Sequence, residues 1–226
     1  MPIALAEMID RLQTQYGTPS LPPAETPFEL VLWEQAAYLS DDAARRGTFL
    51  RLRSEIGTDP EAIAHVSPHL LADLLRGGGI HTEERAERMQ ASARIVLDSY
   101  GGDMRALLAL PLAVARKKLA TFPMIGEPGA EKILMMTRTH PSLAPESNGL
   151  RVLLRVGYGA EQKNYSASYR SVRDAVAPQI PAADYDWLAG AHLLLREHGQ
   201  TLCKRTRPAC GSCPLAPECT HANGED

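Results

Sequence analysis

The segment CKRTRPACGSCPLAPEC, residues 203–219, holds all four cysteines of a 226-residue chain. Six, two and five residues separate Cys203, Cys210, Cys213 and Cys219. Four thiolates gathered by one short loop can hold either a tetrahedral zinc or a cubane iron–sulfur cluster. Zinc ribbons usually present two separated C-x-x-C knuckles, whereas this loop has one close pair flanked asymmetrically. Pro208, Pro214 and Pro217 stiffen the loop and supply turns between the ligands. In a reducing cytosol such clustering points to metal ligation ahead of disulfides.

Outward from this loop the chain reads as a string of helices. Nothing alternates over several residues with β-branched enrichment, so strand signals are nearly absent. Thr26-Pro27-Phe28-Glu29 combines a capping threonine, a first-turn proline and a glutamate three residues on, and opens PFELVLWEQAAYLS. Asp59-Pro60 and Ser67-Pro68 repeat the cap-plus-proline start. Gly77-Gly78-Gly79 stops one helix, and another spans about Thr82 to Tyr100 before Gly101-Gly102. The apolar residues from Leu107 to Leu119 suggest one further buried helix, and two more fit 169–178 and 183–199. The fold expected is all-α.

Composition narrows the classes of function. Charged residues make up 23% and hydrophobic ones 44%, ordinary values for a globular domain. No apolar run reaches the roughly 20 residues that span a bilayer. The N-terminal MPIALAEMIDRLQTQYG reads as an amphipathic helix and not as a signal peptide, so a cytosolic location is expected, with no membrane partner. A formal charge of −3 and a pI near 6.2 give no global sign of nucleic-acid binding, which must rest on local patches.

The cysteine spacing, with HGQTLC before it and RPACGSC within it, closely resembles the endonuclease III family of helix-hairpin-helix DNA glycosylases. The resemblance runs from about Thr26 to Cys219 and implies a structural 4Fe–4S cluster on the four cysteines. It also implies that Lys204, Arg205 and Arg207 meet DNA phosphates. FPMIGEPGA, residues 122–130, resembles the family hairpin, with Met124, Ile125, Gly126 and Gly129 at its DNA-facing positions. Gly126 lets backbone approach closely, and free N–H groups at the next helix start can receive a phosphate without any net positive charge. Met124 stands where the family's first glycine is usual, and Glu127 adds a negative charge nearby. Leu39 falls where relatives carry a glutamine that fills the gap left by a flipped nucleotide.

Bifunctional members attack the sugar with a lysine whose position, counted from FPMIG, is Pro128 here. Proline offers no nucleophile, and Lys132 lies about 6 Å further along the helix axis. The family's aspartate, counted likewise, becomes Glu146 within PESNGLRVLLR, where Asn148, Arg151 and Val152 match the adenine glycosylase branch most closely. A carboxylate there can stabilise an oxocarbenium-like sugar or orient water; it can equally be a plain helix N-terminal acid. Glu34, seven residues after Pro27, matches the glutamate that protonates the departing base in the adenine and mismatch-thymine branches. An apolar setting suits such an acid.

These resemblances imply a two-lobed fold. One lobe covers 21–136 and contains the hairpin; the other joins 1–20 to 137–226 and carries the cluster loop, with a flipped nucleotide between them. The implied function is base-excision repair by a monofunctional DNA glycosylase acting as a monomer on duplex DNA with a damaged or mispaired base. The alternatives are a DNA-binding relative without catalysis and residual lyase activity through Lys132.

Overall fold

A computed structural model describes residues 2–181 and 184–224 of the chain. Its helices, in chain order, are α1 (Leu5–Tyr16), α2 (Pro27–Gln35), α3 (Asp42–Glu55), α4 (Pro60–His65), α5 (Pro68–Leu75) and α6 (Thr82–Tyr100). Then come α7 (Arg105–Leu108), α8 (Leu112–Leu119), α9 (Glu127–Met136), α10 (Ser147–Val156), α11 (Tyr165–Val176) and α12 (Tyr185–Thr201). Among the described residues there is no β-strand, only an isolated bridge between Tyr38 and Gly79. The all-α expectation holds. Among the described residues the chain divides into two compact units, 22–133 and 2–21 with 134–181 and 184–224.

Within 22–133, side-chain caps start α2, α3 and α4, whereas Ser67, expected to cap α5, makes no cap bond and Pro68 alone opens that helix. Thr26 accepts from Glu29 N at 3.1 Å, and Glu29 Oε2 reaches back to Thr26 N at 3.2 Å, completing the capping box. Asp41 and Asp59 cap α3 and α4 through Ala44 N and Ala62 N. Two boundaries differ from the sequence reading. The helix opened at Pro27 stops at Gln35, and the stretch expected as one helix over 107–119 is two. Pro111 has no N–H and a fixed φ, so it ends α7 and starts α8. Val31, Leu32, Phe49, Leu52, Leu75 and Met89 are among the residues filling this unit's core.

Gly77-Gly78-Gly79 does more than stop α5. A Cβ on Gly78 would lie 2.1 Å from Ala36 O, and one on Gly79 would lie 2.1 Å from Tyr38 O. Two backbone segments cross here at a distance only glycine permits. The buried Arg85 of α6 holds the crossing, donating to the carbonyls of Ala36, Leu75, Gly79 and Ile80.

In the other unit, α1 buries Leu5, Met8, Ile9 and Leu12, spaced as one helical face, against residues of α10, α11 and α12. Burying each such side chain contributes about 1.5–3 kcal/mol relative to leaving it exposed. Helices α10 and α12 approach very closely. A Cβ on Gly199 would sit 2.6 Å from Asn148 O, so α12 carries no side chain at the contact. The residue Ala183, where the last helix was expected to begin, lies outside the described residues.

Candidate functional site

Glu146 caps α10. Its Oε1 accepts from Asn148 N at 2.8 Å and Gly149 N at 2.9 Å, and its Oε2 accepts from Asn148 Nδ2 at 3.0 Å. Arg196 Nη1, brought up by the close α10–α12 contact, forms an ion pair with Oε2 at 3.5 Å. Both oxygens are thus fixed, and the longer glutamate side chain is held at the head of the helix. Tyr165, stacked on Tyr169, has its phenol pushed up to about 12, by burial first and by the Glu146 charge second. It therefore stays a hydrogen-bond donor at any working pH. Arg196 and Tyr165 had no signal in the sequence, because they lie 50 and 19 positions from Glu146 and only the packing joins them.

Glu34 is not in the apolar setting its sequence neighbours suggested. Lys132 Nζ lies 2.5 Å from its Oε2, with both side chains largely buried. A nearby ammonium favours the charged carboxylate. Glu34 also shares the lining of a small pocket with Tyr38, Arg85, Arg88 and Met124, which places it beside the hairpin.

The hairpin is a tight turn in which Ile125 N bonds to Phe122 O at 3.0 Å. Pro123 takes its second position, and Met124 its third, with φ at +67°. That left-handed conformation explains why glycine is the usual occupant and shows that methionine adopts it here regardless. Met124 is exposed and Ile125 is buried beneath it. Gly126 O accepts the first bond of α9, from Ala130 N. An added Cβ on Gly126 would meet nothing closer than Pro128 Cδ at 3.8 Å, so its smallness answers no internal packing need. Gly129 packs on Ile125. Pro128 occupies the first turn of α9, and Glu127 precedes it.

Leu39 is 77% exposed with φ at +51°, an unfavourable backbone for a branched residue. Beside it, the Tyr38 ring meets the His81 ring edge-on at 5.7 Å, and Ile80 is also exposed. Four adjacent side chains thus crown the glycine crossing.

The four cysteines line one void of about 20 Å³, together with Arg155 and His198. Lys204, Arg205 and Arg207 are exposed, and Arg155 from α10 holds the loop by donating to the carbonyls of Lys204 and Arg205. Arg151 donates to Cys203 O at 2.9 Å and to Asn148 Oδ1 at 2.8 Å. Burial, followed by the neighbouring cysteines, pushes the Cys213 and Cys219 thiols up. The set suits a cationic centre that offsets those costs. Arg155 Nη1 and His198 Nε2 each lie 3.4 Å from a sulfur, at Cys203 and Cys213 respectively. Among the described residues no three His, Cys, Asp or Glu side chains converge on a single ion. A cubane does not require it, since each of its irons takes one thiolate.

A helical chain with a glycine-permissive hairpin before a helix start and a cysteine-rich closing loop has known counterparts. No family profile matches it. It is 24% identical over 190 residues to the DNA glycosylase/AP lyase ROS1 of Arabidopsis thaliana, covering 79% of this chain and 14% of that one. It is 25% identical to the chloroplastic endonuclease III homolog 2 of the same plant, covering 89% and 50%, so the chain spans half or less of these two relatives. With endonuclease III of Thermotoga maritima the identity is 24%, covering 73% of this chain and 70% of that one. Among solved structures, a trapped endonuclease III–DNA covalent intermediate superposes with a TM-score of 0.75 at 21% identity, covering 97% of this chain and 96% of that one. A thermostable thymine-DNA glycosylase superposes at 0.73 and 16% identity, covering 97% of each chain. The chain is similar in sequence to endonuclease III and its homologues, and it shares the fold of these helix-hairpin-helix DNA glycosylases.

Proposed function

We propose that this protein is a base-excision-repair DNA glycosylase that hydrolyses the N-glycosidic bond of a damaged or mispaired base in duplex DNA. Two observations carry the hydrolytic reading: a proline, Pro128, in the first turn of α9 in place of a nucleophile, and a carboxylate, Glu146, fixed on both oxygens at the head of α10. As the bond from C1′ to the base nitrogen lengthens, positive charge develops on the sugar, and the Glu146 charge stabilises it. Water then forms the new bond to C1′, and its proton is lost to solvent. The base leaves with the bonding electrons and takes up a proton. Glu34 and Lys132 form the unit that supplies that proton, the ammonium delivering it through the carboxylate it already touches.

The exposed backbone around Gly126 and the start of α9 receives one phosphate, and Lys204, Arg205 and Arg207 receive others. Leu39 fills the space vacated by the flipped nucleotide. The four cysteines hold a 4Fe–4S cluster, which keeps the closing loop in one conformation. Glu34 and Glu146 take the places of the reacting carboxylates in this reading, as in the adenine and mismatch branch.

A second reading rests on the same ion pair. An amine within hydrogen-bond reach of a carboxylate can lose its proton to it and attack C1′, as a lyase requires. One experiment separates the two. A panel of lesion and mismatch duplexes is incubated with the protein, with and without alkali, and in parallel with borohydride. Hydrolysis leaves strands that break only after alkali and no trapped adduct. A borohydride adduct that disappears in Lys132→Ala would establish the lyase reading. No base release from any duplex would leave a DNA-binding protein without catalysis.

A further inference from the structure

The Tyr16 hydroxyl on α1 lies 2.8 Å from Nδ1 of His198, and Nε2 of the same ring lies 3.4 Å from Sγ of Cys213. His198 is 1% exposed, so water cannot replace either partner. A cysteine bound to iron is a thiolate and can only accept. If Nε2 carried no proton, two lone pairs would face each other inside the protein. A neutral imidazole has a single N–H, and a hydroxyl donating at Nδ1 leaves it at Nε2. Tyr16 also lies 3.0 Å from Thr201 Oγ1, but that hydroxyl is within 2.8 Å of Glu197 O, to which it donates, and it is a weaker acceptor than an imidazole nitrogen.

We propose that Tyr16 is a positioning residue for the cluster: its O–H fixes the His198 tautomer so that Nε2–H donates to the Cys213 thiolate. The inference rests on the cluster reading given above and adds a function for two residues outside the cysteine loop. Hydrogen bonds to cluster sulfurs stabilise the electron-rich state, so this one raises the reduction potential. Arg155, which donates to Cys203 Sγ and needs no tautomer, supplies a second such bond that Tyr16 does not control.

The test is film voltammetry on the purified, iron-loaded protein and on Tyr16→Phe, His198→Leu, His198→Gln and the Tyr16→Phe/His198→Gln double variant. Iron and sulfide are assayed first in each. Tyr16→Phe keeps the ring packing and should retain full iron while its potential moves negative. His198→Leu should move it at least as far. His198→Gln carries an amide N–H that needs no help, so its potential should stay near that of the unaltered protein and should not respond to loss of the Tyr16 hydroxyl. An unchanged potential in Tyr16→Phe, or an equal shift in both histidine and glutamine backgrounds, would overturn the proposal. Should His198→Leu fail to fold, the comparison of Tyr16→Phe in the two backgrounds still decides. Absence of iron and sulfide from the unaltered protein would refute the cluster reading itself, and the proposal with it; the iron assay shows that separately from any potential.

Discussion

Glu146 shows how far single residues could be understood from sequence. Its place in the motif was legible, because counting from the hairpin crosses no gap, but the fate of its extra methylene was not. The structure holds the longer side chain with backbone amides, Asn148 and Arg196, and the last of these is contributed by a helix 50 residues away. Likewise Glu34 was expected in an apolar setting, and its pairing with Lys132, 98 positions on, had no signal in the sequence. Replacing Glu146 by Gln keeps an acceptor for the amides of Asn148 and Gly149, loses the acceptor that faces Asn148 Nδ2 and Arg196, and removes the charge. Base release should fall at least ~100-fold, since one charge facing the transition state contributes roughly 3 kcal/mol, while duplex affinity persists. Single-turnover assays alongside binding measurements check both halves. Met124 offers a prediction about strain. With φ at +67°, it should be stabilising to replace by Gly, by about 0.5–1 kcal/mol, readable as a higher denaturation midpoint at unchanged slope.

Helix starts were the most legible elements, because Thr26, Asp59 and Pro68 act on their own neighbours, although Ser67 makes no cap bond. The crossing at Gly78 and Gly79 was not, since its reason lies in the carbonyls of Ala36 and Tyr38. For the hairpin, a Cβ at Gly126 meets no internal obstacle, so Gly126→Leu should retain the fold while affinity for duplex DNA drops at least ~10-fold through lost backbone approach. Unchanged affinity in a fluorescence titration would reduce the hairpin to a packing corner. The capping box at α2 predicts an acid dependence. Burial pushes the Glu29 carboxyl up, but Thr58, the amides of Glu25 and Thr26, and Arg53 outweigh it and leave it below its usual 4.5. A carboxylate lowered on folding contributes stability that is complete above about 4.5 and is lost as pH falls through the lowered value. Glu29→Gln should therefore be less stable near neutrality, and the difference should shrink in acid denaturation series below pH ~4.

For the molecule as a whole, the cysteine spacing conveyed more than any average property, because net charge and pI pointed nowhere. Cys210→Ser should lower iron content and loosen the closing loop, with proteolysis beginning within 203–219 before the helices are cut. An equally resistant loop in that variant would show that no bound group organises it. The division into units has a consequence for synthesis. Residues 22–133 are continuous in the chain, whereas the other unit is made from both of its ends. On the ribosome, the continuous unit can complete its core as soon as it emerges. Helix α1 is made before α10 and α12, so the partners of its apolar face do not yet exist when it emerges. It must wait through most of translation, and a hydrophobic stripe left uncovered that long is the segment a chaperone would find first.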